Sequence, residues 1–379
     1  MGPLDGINVL DLGGVLSVPY AATLLAELGA DVIKVESRDG DQLRGNHPMH
    51  CGMSAMYYNA NRGKRGIVLD LKSDEGIRAV HALIAKADVV MENWRPGVAE
   101  RLGLGFDELR ARHPALITAS VRGFGSAGPY AGQRVYDPII QGVSSMASTQ
   151  DEDTPQLVTN LLPDKLTSMS LAQGILAALV QRGRTGRGDH VEVTMLDTAI
   201  SFLWPDMMQA DTFVDAPPPA GKVERNTRVA QILRAGDGKW LICTATTNSQ
   251  WAQLCRTIGQ PEWIEKFPGL DDRREARTTI NDQLTAMFQD STRDQVLTLF
   301  SDADIPCGPL NTVEEMLTDP QVQANDVIRE VERPGLGIVR EPAPHVRIGT
   351  EPWQPTRLGA PRLGEHTEEV LAELGLNVS

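Results

Sequence analysis

Hydrophobic residues in the first third of the chain fall into short runs that alternate with amphipathic stretches. Five of these runs have the length of buried strands, at 7–12, 31–36, 68–71, 87–91 and 116–121. Between them, Pro19 suits the first turn of a helix that ends near Leu28, and residues 74–87 and 97–113 have helical spacing. Strands that alternate with helices in this way predict an α/β fold with a parallel sheet.

The middle of the chain contains one long apolar helix pattern. Residues 164–181 are apolar on most sides after the first turn, which is typical of a buried helix. Residues 182–190 (RGRTGRGDH) indicate a helix end and a turn. Residues 190–196 then alternate like a strand, and a further helix pattern continues to about residue 210.

A proline-rich segment at 215–222 (DAPPPAGK) is the clearest linker signal. Strand-like runs at 229–234 and 240–246 follow it, and then helical patterns, which predict a smaller α+β domain. We therefore expect three sections: a large domain at 1–215, a small domain at 223–330, and a C-terminal segment at 331–379 that returns to the large domain.

Composition narrows the classes of partner. The formal net charge of −14 disfavours broad contact with nucleic acid or anionic membranes, so an anionic ligand requires a local cluster of positive side chains. Cys51, Cys243, Cys255 and Cys307 have no CxxC spacing, which favours reduced thiols and gives no indication of a metal site. No N-terminal signal peptide and no run of the ~20 apolar residues of a membrane span is visible, so we expect a cytoplasmic protein.

The first βα turn limits the choice of nucleotide ligand. Glu36, at the end of the second strand pattern, hints at dinucleotide binding, but residues 13–19 (GGVLSVP) do not fit GxGxxG. A tight turn therefore explains Gly13 and Gly14 better than a dinucleotide site does.

Several ordered segments together resemble the family III CoA-transferases, also called the CaiB/BaiF family, which includes formyl-CoA and carnitine CoA-transferases. The matching segments span nearly the whole chain: residues 4–36, 59–76, 87–109, 117–132, 135–142, 176–197, 305–322 and 363–376. The resemblance implies a large domain with a Rossmann-like open sheet, a smaller domain, and two chains interlocked as a homodimer. It also implies an enzyme that uses acyl-CoA and a carboxylic acid as substrates and holds no permanent cofactor.

The family's catalytic aspartate corresponds to Asp164 of this chain. A carboxylate can attack a thioester to form a mixed anhydride, which the released CoA thiolate converts to an enzyme–CoA thioester. Aspartate before an apolar helix is also a common N-cap, and both roles can hold together. In that case we expect the helix N–H groups to lower the pKa of the Asp164 carboxyl group and to stabilise developing charge.

The resemblance also implies which residues contact coenzyme A. They are Ser17, Arg38, Leu69, Lys72, Asn93, Trp94, Arg95, Arg101, Arg134, Tyr136 and Asp137. Arg38 stands one position beyond the family's arginine, where this chain has Ser37. Leu16 replaces a glutamine of formyl-CoA transferase, and that enzyme's glycine-rich loop has no counterpart before Trp240, so formate and oxalate are not implied as substrates.

Two other functions remain open from the sequence. An α-methylacyl-CoA racemase has a related sequence, but racemases carry a histidine where this chain has Tyr136 and Asp137, and tyrosine is a poor base at neutral pH. A CoA-binding regulator without catalysis would keep the binding residues and lose the nucleophile. Trp204, Met207 and Met208 are candidates either for an apolar acyl site or for ordinary core packing.

Overall fold

The computed structural model describes residues 2–151, 153–215, 230–349, 356 and 358–376. It divides into two compact units, one made of Met1–Thr212 with Val327–Ser379 and the other of Phe213–Asp326. The linker predicted at 215–222 lies outside the described residues except for Asp215, as do residues 223–229 of the predicted small domain.

The strands and helices are labelled in chain order. The strands are β1 Asn8–Asp11, β2 Asp31–Glu36, β3 Met49–His50, β4 Met53–Ser54, β5 Lys64–Val68, β6 Val89–Glu92, β7 Ile117–Arg122, β8 His190–Thr194, β9 Ala230–Arg234, β10 Trp240–Thr244, β11 Cys307–Pro309, β12 Ile328–Arg333 and β13 Gly337–Pro342. The helices are α1 Ser17–Glu27, α2 Ala55–Asn61, α3 Asp74–Ile84, α4 Val98–Arg101, α5 Phe106–Arg112, α6 Asp137–Val143, α7 Leu162–Thr185, α8 Met195–Met207, α9 Asn248–Thr257, α10 Trp263–Lys266, α11 Leu270–Glu275, α12 Arg277–Met287, α13 Arg293–Asp302, α14 Val313–Thr318, α15 Pro320–Ala324 and α16 Thr367–Glu373.

A six-stranded parallel sheet organises the larger unit. Its strand order is β5-β2-β1-β6-β7-β8, and every neighbouring pair is parallel. The predicted α/β class with a Rossmann-like parallel sheet is therefore confirmed. After β5 the chain crosses to the other half of the sheet and forms β6 beside β1, so the strand order reverses between β1 and β6. The crevice at such a point is the usual ligand site of open α/β sheets.

The strand predicted at 68–71 was wrong, because β5 covers Lys64–Val68 instead. Lys64 is 0% exposed, and its ammonium group donates to Asp11 at 2.8 Å and to the carbonyl of Pro19 at 2.7 Å. The strand was not predicted because it begins with a charged residue and therefore does not form an apolar run. Lysine is rarely buried without a partner, so its burial here was not expected.

Three other boundaries differ from the predictions. The pattern at 97–113 forms two helices, α4 and α5, because Gly103 between them has a φ of +69°. The strand predicted at 190–196 ends at Thr194, where α8 begins. The long helix α7 starts at Leu162, two residues before the predicted start.

The C-terminal segment covers one edge of the parallel sheet. Along β5, the N–H of Gly66 donates to His366 Nδ1 at 3.1 Å, and the N–H of Val68 donates to Thr367 Oγ1 at 3.0 Å. Such bonds satisfy backbone groups that an exposed edge strand would leave open. None of the helices in the described residues is long and apolar enough to cross a membrane.

The smaller unit contains an antiparallel sheet of order β11-β10-β9. Its core is aromatic: Trp251, Trp263 and Phe267 lie within about 6.3 Å of one another, measured between ring centroids. Helices α9, α10, α12 and α13 contribute buried residues to the same core.

Candidate active site

A cleft of about 1030 Å³ opens at the carboxyl ends of the parallel strands. Every strand of the sheet is followed by residues that line it, at 12–15, 37–41, 69–72, 93–96, 133–136 and 195. All of these residues belong to the larger unit. The parallel sheet thus brings distant parts of the sequence to one edge.

In the loop after β1, side chains bind the peptide groups of Gly13 and Gly14. The Gly13 N–H donates to Asp11 at 2.9 Å, and Lys34 donates to the Gly13 carbonyl at 2.9 Å. Asn93 bonds Gly14 in both directions, accepting from its N–H at 3.0 Å and donating to its carbonyl at 2.8 Å. The backbone of Gly13 and Gly14 is therefore already satisfied, and it is not free to cradle a pyrophosphate as in a dinucleotide site.

Glu36 is likewise occupied. Its carboxylate accepts from Arg44 at 2.8 and 2.6 Å, from the hydroxyl of Tyr57 at 3.0 Å and from the Asp41 N–H at 2.7 Å. Burial by itself would raise the pKa of Glu36, but its partners hold the pKa below the usual value. The acidic residue that a ribose would need is engaged within the protein.

Asp164 lies at the cleft beside the start of α1. The hydroxyl of Ser17, the first residue of α1, donates a hydrogen bond to Asp164 Oδ1. Ser17 is only 4% exposed, so this contact is shielded from water. Asp164 is the third residue of α7 and Leu161 is the N-cap, so the alternative role of Asp164 as an N-cap was wrong.

The expectation that the pKa of the Asp164 carboxyl group is lowered was also wrong. Burial raises the pKa of the Asp164 carboxyl group, the negative charge of Asp137 raises it further, and the Ser17 hydrogen bond opposes both. The N–H groups of the first turn of α7 are taken, because Leu162 donates to Asn160 at 2.7 Å and Asp164 donates to Asp137 at 3.1 Å. Pro163, between them, has no N–H to offer.

Basic side chains surround the cleft. Five of them line it and are exposed: Arg38, Lys72, Arg95, Arg101 and Arg134. Their side chains form no ion pair or hydrogen bond with any residue in the described part of the chain. In a protein of net charge −14, an unpaired cluster of this kind is the local positive region that an anionic ligand requires.

The other residues implied as CoA contacts divide into two groups. Leu69, Asn93, Trp94 and Tyr136 line the cleft, and Tyr136 is 57% exposed there. Asp137 is 1% exposed and does not line the cleft. Its carboxylate faces the backbone of Asp164 instead.

Sequence reasoning missed Arg122 and Glu92. Arg122 lines the cleft at the end of β7 and forms an ion pair of 2.8 Å with Glu92, which is 1% exposed. Burial raises the pKa of Glu92, while Arg122 opposes this effect. Their positions at the carboxyl ends of two predicted strands were the available signal.

The proposed acyl-site residues lie elsewhere. Among the described residues that line the cleft, Met195 is present, whereas Trp204, Met207 and Met208 are not. Met207 packs against the main core, and Trp204 is 46% exposed. In the described ranges, no cluster of three or more His, Cys, Asp or Glu side chains is suited to a metal ion.

Comparison with known sequences gives one consistent family. A model of CoA-transferase family III matches residues 4–367. The chain is 34% identical to the succinate–glutarate CoA-transferase of Agrobacterium fabrum, with 98% of this chain and 96% of that protein aligned. It is 31% identical to the succinyl-CoA–D-citramalate CoA-transferase of Chloroflexus aurantiacus, with 98% of this chain and 94% of that protein aligned.

Solved structures agree with this result. A CaiB/BaiF family protein from Brucella suis aligns over 98% of this chain and 99% of its own, with a TM-score of 0.83 and 31% identity. A hypothetical protein from Mycobacterium tuberculosis aligns over 98% of this chain and 99% of its own, with a TM-score of 0.83 and 28% identity.

Proposed function

The chain belongs to CoA-transferase family III, and from this premise we propose that it transfers coenzyme A between an acyl-CoA and a free carboxylic acid, with Asp164 as the covalent nucleophile. The observation that carries the proposal is the setting of Asp164: a half-buried carboxyl group at the cleft, which accepts a hydrogen bond from the buried Ser17. The raised pKa of Asp164 makes its carboxylate more basic, and a more basic oxygen is a better nucleophile.

The reaction proceeds by exchange of one activated acyl group for another. A carboxylate oxygen of Asp164 attacks the thioester carbonyl, the C–S bond breaks, and a mixed anhydride and the CoA thiolate result. The thiolate then attacks the aspartyl carbonyl, which releases the donor acid and leaves an enzyme–CoA thioester. The acceptor carboxylate attacks this thioester, and the same steps run in reverse to give the new acyl-CoA.

The start of α1 supports these steps. The N–H groups of Ser17 and Val18 have no hydrogen-bond acceptor among the described residues, and Ser17 already touches Asp164. Donors at a helix N-terminus stabilise the negative charge that develops on a carbonyl oxygen during attack.

We propose that the five cleft cations and the adjoining side chains hold coenzyme A. Arginine and lysine are the usual partners of phosphate groups, and coenzyme A carries a pyrophosphate and a 3′-phosphate. Leu69 and Trp94 offer apolar surface in the same cleft, and Ser17, Asn93 and Tyr136 offer polar groups.

We also propose that at least one of the exchanged acids is a dicarboxylic acid. The relatives are named for succinate and glutarate, D-citramalate, oxalate and mesaconate, all of which carry two carboxyl groups. Racemisation is less well supported, because no histidine is found among the described residues that line the cleft.

The functional unit that we propose is an interlocked homodimer. Helices α7 and α8 expose large apolar side chains: Met169 at 48%, Val180 at 66%, Phe202 at 50% and Trp204 at 46%. Such side chains on neighbouring helices favour burial against another protein surface.

The decisive experiment traps the intermediate. The enzyme is incubated with succinyl-CoA, quenched with hydroxylamine, and its peptides are mapped by mass spectrometry, while a panel of dicarboxylic acids is tested as acceptors. We expect a hydroxamate at Asp164 and no transfer by Asp164→Ala. Transfer that persists in Asp164→Ala, with the label on another residue, would refute the proposal.

A further inference from the structure

A buried pair on α6 lies directly behind Asp164. Asp137 and Gln141 are one helical turn apart, and each is 1% exposed. Gln141 Nε2 donates to Asp137 Oδ1 at 2.6 Å, and Asp137 Oδ2 accepts from the Asp164 N–H at 3.1 Å. Both carboxylate oxygens of Asp137 are thus used, one on each side.

Gln141 is itself fixed by the segment that precedes α7. Its Oε1 accepts from the Val158 N–H at 2.8 Å, and its Nε2 donates to the Val158 carbonyl at 3.1 Å. These two bonds determine which end of the amide faces which partner, because the reverse orientation would pair donor with donor and acceptor with acceptor. The Gln141 donor therefore faces Asp137.

This polarity explains why a carboxylate is buried at residue 137. Among the described residues Asp137 has no ion pair, and burying an unpaired charge is costly. An amide at this position would place its NH₂ group against either Gln141 Nε2 or the Asp164 N–H. Only a group that accepts on both sides satisfies the two donors.

We propose that Gln141 and Asp137 are positioning residues for the transferase reaction. Gln141 orients the Asp137 carboxylate, which holds the backbone of Asp164 and keeps a negative charge behind the nucleophile. This inference rests on the proposed function of Asp164, because it concerns how that carboxyl group is placed and how readily it ionises.

The test is a pair of reciprocal substitutions. Asp137→Asn pairs donor with donor, and Gln141→Glu pairs acceptor with acceptor, so we expect each to lower kcat by at least about tenfold. KM for the acyl-CoA should change by less than about threefold, because neither residue lines the cleft. The double variant Asp137→Asn/Gln141→Glu restores one donor and one acceptor between the two positions, while a carboxylate oxygen at position 141 still faces the Val158 carbonyl, so we expect it to recover part of kcat.

The pH profile separates positioning from ordinary packing. The negative charge of Asp137 raises the pKa of Asp164, so Asp137→Asn should move the acid limb of the kcat profile to lower pH. The Gln141→Glu variant adds a negative charge, and Gln289→Glu, at an exposed position of the smaller unit, is the control for that charge. The inference would be overturned if both single variants had the wild-type kcat. It would also be overturned if kcat fell in the single variants, did not recover in the double variant, and the pH profile of Asp137→Asn stayed at the wild-type position.

The remaining outcomes distinguish failure of the positioning role from failure of the proposed function. If a single variant does not fold, the double variant is compared with the wild type directly, and a folded double variant without transferase activity contradicts the inference. If the wild type forms no hydroxamate at Asp164 and transfers no CoA, the proposed function fails and the positioning role fails with it. If the wild type is active and labelled while the variants match it, only the positioning role is wrong.

Discussion

Ser17 and Asp164 are 147 positions apart in the chain, yet the hydroxyl group of Ser17 donates a hydrogen bond to the carboxyl group of Asp164. The contact joins the first turn of α1 to the first turn of α7. It lies at the cleft where unpaired cations also gather.

Ser17→Ala should shift the pH dependence of the reaction. The Ser17 hydrogen bond lowers the pKa of Asp164, so its loss raises a pKa that burial has already raised. Because the ionised carboxylate is the attacking form, we expect the acid limb of kcat/KM to move to higher pH. Ser168→Ala is the matched control, since Ser168 bonds the backbone carbonyl of Asp164 at 2.9 Å and not its carboxyl group. An unmoved acid limb in Ser17→Ala would contradict the assignment.

Arg38→Ala should weaken binding of the CoA phosphates. Arg38 is exposed at the cleft, and its side chain has no partner in the described residues. We expect KM for the acyl-CoA to rise by roughly tenfold, in the range of a lost charge-assisted hydrogen bond. If the contact is to the 3′-phosphate, the variant and the wild type should have similar KM values for the 3′-dephospho substrate. Arg184→Ala, at the far end of α7, is the control.

Lys64→Met should destabilise the larger unit. Burial lowers the pKa of Lys64 to about 8, so it is charged at neutral pH and pairs with Asp11. Removing the ammonium leaves Asp11 buried, with Lys34 4.0 Å away as its other ion-pair partner. We expect the free energy of unfolding to fall by about 3–5 kcal/mol, measured by urea denaturation. Lys86→Met, an exposed site, should change it by less than about 0.5 kcal/mol.

The racemase alternative has its own test. A 2-methylacyl-CoA is incubated with the enzyme in D₂O without an acceptor acid, and the α-position is followed by mass spectrometry. We expect no incorporation of deuterium, because no histidine is among the described residues that line the cleft. Rapid exchange together with change of configuration would favour the racemase.

The dimer proposal predicts a particle of twice 41.2 kDa in light scattering coupled to size exclusion. The double variant Val180→Asp/Phe202→Asp places charges on the exposed faces of α7 and α8, and because interlocked chains cannot separate without unfolding, we expect loss of soluble dimer rather than folded monomers. Val313→Asp, which alters an exposed apolar residue of α14, is the control. A monomeric wild-type protein would rule out the proposed dimer.

Much of the fold was predictable because its signals are local. β2 at Asp31–Glu36 was found with its correct bounds, since alternation of apolar positions depends on neighbouring residues alone. The same holds for the succession of strands and helices that identified the α/β class. The cleft residues were found differently: their positions came from the family resemblance, and the parallel sheet then brought Arg38, Lys72 and Arg134 to one edge.

The sequence by itself determined the α/β class, the family and the candidate nucleophile, because periodicity and motifs are written in consecutive residues. Only the tertiary structure decided that Lys64 begins a buried strand, that Asp137 faces the backbone of Asp164, and that the pKa of Asp164 is raised. Burial and hydrogen-bond partners arise between residues far apart in the chain, so the acidity of a carboxyl group cannot be read from its sequence neighbours.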